Sequence, residues 1–108
     1  MPDNFTKTDW AVRFNPGKAV KVDLFSGRHL FVGLNCFEPG QTQPSHTHPG
    51  ADKFYYVVSG KATVTVGNDS QEVEAGSLVW APADVAHAVS DVIEQTVMLV
   101  GIAPPPPR

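Results

Sequence analysis

Residues Gly40 to Gly60 read GQTQPSHTHPGADKFYYVVSG, and this stretch decides how the rest of the chain is read. His46 and His48 stand two residues apart, a spacing that puts both side chains on one face of an extended segment. Lys53 follows, and behind it FYYVV (Phe54 to Val58) is aromatic and β-branched, closed by Gly60. A pair of imidazoles entering a strand suggests a ligand site attached to a sheet rather than to a helix.

Working outward, the chain is a succession of short extended segments punctuated by Gly, Pro, Asn and Asp. KAVKVDLF (Lys18 to Phe25) alternates apolar and polar residues, HLFVGLNCFE (His29 to Glu38) is rich in strand formers, and KATVTV (Lys61 to Val66) has a clean period of two. GNDS (Gly67 to Ser70) reads as a turn into QEVE (Gln71 to Glu74), which predicts a hairpin. SLVWAP (Ser77 to Pro82), HAVSDV (His87 to Val92) and TVMLVGIA (Thr96 to Ala103) follow. About eight or nine strands without a helical pattern among them predict an all-β sandwich or barrel. The expected organisation is an N-terminal arm over 1–18, one barrel over 19–103 and a proline-rich tail over 104–108. The tail, APPPPR, cannot donate a ladder of backbone hydrogen bonds and is expected to leave the barrel as an extended end.

Composition narrows the functional classes. A chain of 108 residues accommodates one domain, and 42% hydrophobic with 18% charged residues is ordinary for a protein that buries a core. The net charge of -3, with no run of Lys or Arg, argues against nucleic acid as a partner. No apolar run approaches the ~18 residues of a membrane span. MPDNFTKTDW lacks the basic and apolar regions of a secretory leader, so a cytoplasmic location is expected. Cys36 is the single cysteine and lies in an apolar run, LFVGLNCF, so it is expected to be a buried small hydrophobe. Phe37 and Trp80 are expected in the core, while Trp10 and His29 receive no functional role.

Neutral imidazole suits Zn, Fe, Ni and Mn, and a pair of histidines needs further ligands from elsewhere in the chain. His87, on a later strand preceded by Gly76, Pro82 and Asp84, is the natural third. Taken together, these segments resemble the two sequence motifs of the cupin superfamily. Gly40, His46, His48 and Gly60 fall in register with the first motif, G-x5-H-x-H-x3,4-E-x6-G. Gly76, Pro82 and His87 match the second, G-x5-P-x-G-x2-H-x3-N. The resemblance implies a small single-domain cupin with a jelly-roll β-barrel, also described as a double-stranded β-helix. It also implies one divalent transition metal inside, held here by His46, His48 and His87.

The chain departs from the motif at the acid. Counted from both sides, the glutamate position is Lys53, whose ammonium has no lone pair for a cation and repels one. Three arrangements remain open. The three histidines hold the metal with solvent in the remaining positions, as at catalytic zinc sites; or Asp52 becomes a fourth ligand through a bulge; or Lys53 points inward and replaces the ion. An inward Lys53 would carry Tyr55 and Val57 inward and send Phe54 and Tyr56 to the other face. That outer face would then meet a second sheet or a partner subunit, and a homodimer is expected. Asp84 and Asp91 also stand where the motif usually has glycine and asparagine.

Fold does not fix function in this superfamily. The expectation is a metal-dependent enzyme of isomerase, lyase or dioxygenase type acting on an oxygen-rich small molecule, with Lys53 and Tyr55 as candidate catalytic residues. Single-domain cupins that open unsaturated uronates look similar in their histidines. The alternative is a non-catalytic module that binds or senses a small molecule, with Lys53 as its anion-binding group.

Overall fold

A computed structural model describes residues 4–106 of the chain. Within them lie one short helix, α1 (Thr8–Ala11), and seven strands: β1 (Val20–Ser26), β2 (Phe31–Phe37), β3 (Gln43–His46), β4 (Asp52–Val66), β5 (Asp69–Glu74), β6 (Leu78–Ala81) and β7 (His87–Ala103). All strand pairs are antiparallel. The fold is the all-β jelly roll that the motifs imply.

Two long strands make the architecture. FYYVV and KATVTV are not separate elements but one strand, β4, and HAVSDV and TVMLVGIA likewise form β7. Each passes through both layers. The first half of β4 and the second half of β7 pair with each other and with β6 and β2, and β1 joins at the edge of β2. The second half of β4 and the first half of β7 pair with β5 and β3. The fold between layers coincides with the register shifts of β4 at residues 57–63.

Gly60 makes that fold sterically feasible. Its φ is 97°, and a Cβ there would run into the Thr96 side chain and the Gln95 carbonyl. Across the bend, fully buried Thr96 accepts a hydrogen bond from the Lys61 N–H at 3.1 Å and donates to the Glu94 carbonyl at 2.8 Å. The predicted hairpin is present, tighter than expected. Val66 pairs with Asp69 around a two-residue loop in which Gly67 has φ 60°, a value that glycine adopts without strain.

Between the layers, period-two alternation places Phe37, Tyr55, Val57, Val89, Met98 and Val100 in one buried cluster. A second cluster lies on the outer face of the larger layer. There Ala11 of α1, with Val12 and Phe14, covers Leu34, Cys36 and Val97. Cys36 is fully buried as a small hydrophobe, and burial pushes its thiol pKa up.

Three expectations are corrected. Trp80 is not core: it pairs with Phe54 on the outward side of β6 and is 59% exposed. The segment from His29 joins the sheet only at Phe31, after a turn closed by the Gly27 N–H to Leu30 carbonyl bond. The tail does not simply depart, because half-buried Pro106 lines a cavity beside β1 and β2. Pro107 and Arg108 lie outside the described residues. No helix among the described residues is long and apolar enough to cross a membrane.

Candidate metal centre

His46, His48 and His87 come together, with a ligand nitrogen from each within 4.8 Å of the others. His46 and His87 are direct cross-strand partners, β3 to β7, and their ring centroids are 4.2 Å apart. His48 reaches the cluster differently from the strand geometry expected. It lies past the end of β3, in a loop, with its ring centroid 5.0 Å from His46 and 5.3 Å from His87.

Backbone contacts fix that loop. The His48 carbonyl accepts from the Ala51 N–H at 3.1 Å, while the loop before β7 is tied on by two carboxylates. Asp84 accepts from the Gly50 N–H at 3.1 Å and Asp52 from the Ala83 N–H at 2.9 Å. Asp84 does so with φ 68° at the position where the motif usually has glycine; aspartate is among the few other residues that enter this region. Asp91, with φ 48°, similarly suits a position where asparagine is usual. Asp52 is therefore a loop tie on the exposed side, and it is not brought to the histidines.

The imidazoles are oriented like ligands. His46 Nδ1 is bonded to the Pro44 carbonyl at 2.8 Å and His87 Nδ1 to the Val85 carbonyl at 3.1 Å. A carbonyl only accepts, so both Nδ1 atoms carry the proton and both Nε2 atoms keep a lone pair. Nε2 of His48 and Nε2 of His87 are buried without a hydrogen-bond partner. Buried polar atoms are rarely left so. Burial holds all three rings below the usual imidazole pKa, His87 at about 4. Neutral imidazoles with inward lone pairs fit a divalent transition metal.

Lys53 points inward and is 3% exposed. Its Nζ lies 4.4 Å from the centroid of the Tyr55 ring, within cation–π range. Burial, then the charge of Lys21, lowers its pKa to about 7. Tyr55 and Val57 follow it inward, while Phe54 and Tyr56 face out. The Tyr55 hydroxyl donates to Gln43 Oε1 at 2.6 Å, and burial pushes its pKa well above the usual phenol range, so it holds its proton.

Two site residues escaped the sequence reading, Gln43 and Asn35. Both are buried, and both line a cavity of about 210 Å³ together with His48, Lys53, Phe31 and Ile102. Asn35 Nδ2 has no hydrogen-bond partner. The available signal was an amide on the inward face of an otherwise apolar strand, FVGLNCF.

Comparison with known proteins agrees with this fold. A family profile described as "Cupin domain" matches residues 33–102. An uncharacterized protein of Streptomyces coelicolor is 40% identical over 78 residues, covering 72% of this chain and 73% of that protein. Polyketide synthase CurC of Streptomyces cyaneus is 30% identical over 81 residues, covering 75% of this chain and 51% of that protein. Among solved structures, TT1209 from Thermus thermophilus superposes with a TM-score of 0.90 at 32% identity, over 94% of this chain and 98% of that one.

Proposed function

The chain belongs to the cupin family, and from that premise we propose that His46, His48 and His87 hold one divalent transition metal at which a small oxygen-rich molecule is bound and turned over. The observation that carries this reading is the pair of buried, unpartnered Nε2 atoms on His48 and His87. Such a metal supplies Lewis-acid chemistry or, as iron, oxygen activation, in an enzyme of isomerase, lyase or dioxygenase type. The chain's own groups do the rest. Pro44 and Val85 carbonyls hold the His46 and His87 tautomers, Gln43 holds the Tyr55 hydroxyl, and Phe31, Val100 and Ile102 give the cavity an apolar side. The reading extends to a cytoplasmic homodimer, with Phe54, Tyr56, Leu78 and Trp80 as the apolar surface that the second copy covers.

Two observations favour a second reading, a cupin that binds or senses a ligand without turnover. Tyr55 keeps its proton in a bond to Gln43, and Asp52, the acid nearest in sequence to the missing glutamate, faces away. Neither is placed as a general base at neutral pH.

Two assays separate the readings. Metal content by plasma mass spectrometry is expected at about one ion per chain in the parent, and near zero in the His87→Ala variant. Metal-loaded protein is then incubated with small hydroxy, oxo and sugar acids and followed by proton NMR. Turnover that disappears in His87→Ala supports the enzyme; saturable binding with unchanged spectra supports the binding module.

A further inference from the structure

The cavity beside the histidines holds buried donors that have no anionic partner among the described residues. Lys53 lies inside it with no ion-pair partner among the described residues. Asn35 Nδ2 is buried and unpartnered, and Gln43 spends its carbonyl oxygen on Tyr55, which leaves its amide N–H groups to donate. Among the described residues, the one carboxylate in the lining is that of Asp23, which is exposed at the rim together with the opposite charge of Lys21. Where the family motif supplies a negative charge next to the metal, this chain supplies a positive one. A dication disfavours the ammonium form of Lys53 in the same low-dielectric pocket, an anion favours it, and no buried carboxylate among the described residues supplies that anion.

We infer that the ligand of this site is a small organic carboxylate, which sits on Lys53 and Asn35, reaches the His46–His48–His87 cluster past His48, and supplies the negative charge that the chain lacks. This rests on the three-histidine reading of the metal centre. The cavity, about 210 Å³ and open at the rim formed by Lys21 and Asp23, has room for a compact acid. Its remaining walls, Phe31, Val100 and Ile102, suit a short carbon skeleton. One ammonium and neutral amides balance a single carboxylate better than a phosphate of nearly two charges. Because the anion contacts one cation and screens the other, anion and metal binding are coupled, each tightening the other by the same factor.

The test is zinc titration of the metal-stripped protein by calorimetry, alone and in saturating propionate, pyruvate or inorganic phosphate. Affinities are corrected for zinc complexed by the free anion. In the parent, at least one carboxylate is expected to tighten zinc about fivefold or more. In Lys53→Met zinc binds more tightly than in the parent without any anion, and the carboxylate effect disappears. Asn35→Asp, nearly isosteric, should weaken the carboxylate about tenfold or more with the fold intact by circular dichroism. No carboxylate effect in the parent, an undiminished effect in Lys53→Met, or enhancement by phosphate alone would overturn the inference. Zinc binding that survives His87→Ala, or is missing from Lys53→Met, would instead strike the three-histidine reading.

Discussion

His48 and His87 each bury a ring nitrogen that bonds to nothing among the described residues, and Lys53 buries an amine that no carboxylate there pairs. Both are unfavourable for folding alone, so both leave marks in the pH dependence of stability. Lys53 titrates at about 7 in the folded chain against an ordinary 10.5, so between these values the unfolded chain holds a proton that the folded one has released. Stability from this group is therefore lost as the pH falls from 10.5 towards 7. Lys53→Met should stabilise the fold at pH 7 by an amount on the order of 1–4 kcal/mol, seen as a higher thermal midpoint, and the gain should shrink towards pH 10. Thermal melts of both proteins across that range check it; a gain independent of pH would count against a buried ammonium. His87, at about 4 against an ordinary 6.5, behaves the same way at lower pH. Metal-free protein should lose stability from pH 6.5 down to 4 and lose less of it as His87→Gln, again read by melts. The histidines were legible in the sequence because their spacing repeats a known motif. Asn35 and Gln43 were not, because an amide in a strand acquires meaning only once its inward neighbours are known.

Among the elements, the bent strands β4 and β7 matter most, because they bring His87 back beside His46. The sequence showed each half of each strand but not their continuity. Gly60 reads as a break when it is the pivot of an unbroken strand. Trp80 illustrates the same limit. Its residue type predicts burial, but the register that pairs it with Phe54 fixes it on the outward face, and register is a property of two strands. The pivot is open to test. Gly60→Ala forces a side chain into the left-handed region and against Thr96, and should cost about 1–3 kcal/mol, lowering the thermal midpoint by roughly 5–20 °C. A midpoint within about a degree of the parent would show that the bend is not held as described.

For the whole molecule, the outer face of the larger layer is covered unevenly. The N-terminal segment packs over Leu34, Cys36 and Val97, while Leu78 and Trp80 remain 71% and 59% exposed beside Tyr56. A second copy covering that strip predicts a dimer in sedimentation velocity that becomes monomeric in Trp80→Glu without loss of fold; a monomeric parent would remove this part of the reading. The all-β class and the order of its segments were legible from period-two patterning, whereas this outer surface depended on pairing that composition cannot reveal. The central claim is that three imidazoles share one metal ion. X-ray absorption at the cobalt edge, on metal-stripped protein given one equivalent of cobalt(II), tests it most directly. Three imidazole nitrogens at about 2.0–2.1 Å with light-atom ligands completing the shell is the predicted result. A shell of oxygen scatterers without imidazole, or a spectrum unchanged when His46, His48 and His87 are all replaced by alanine, would contradict it.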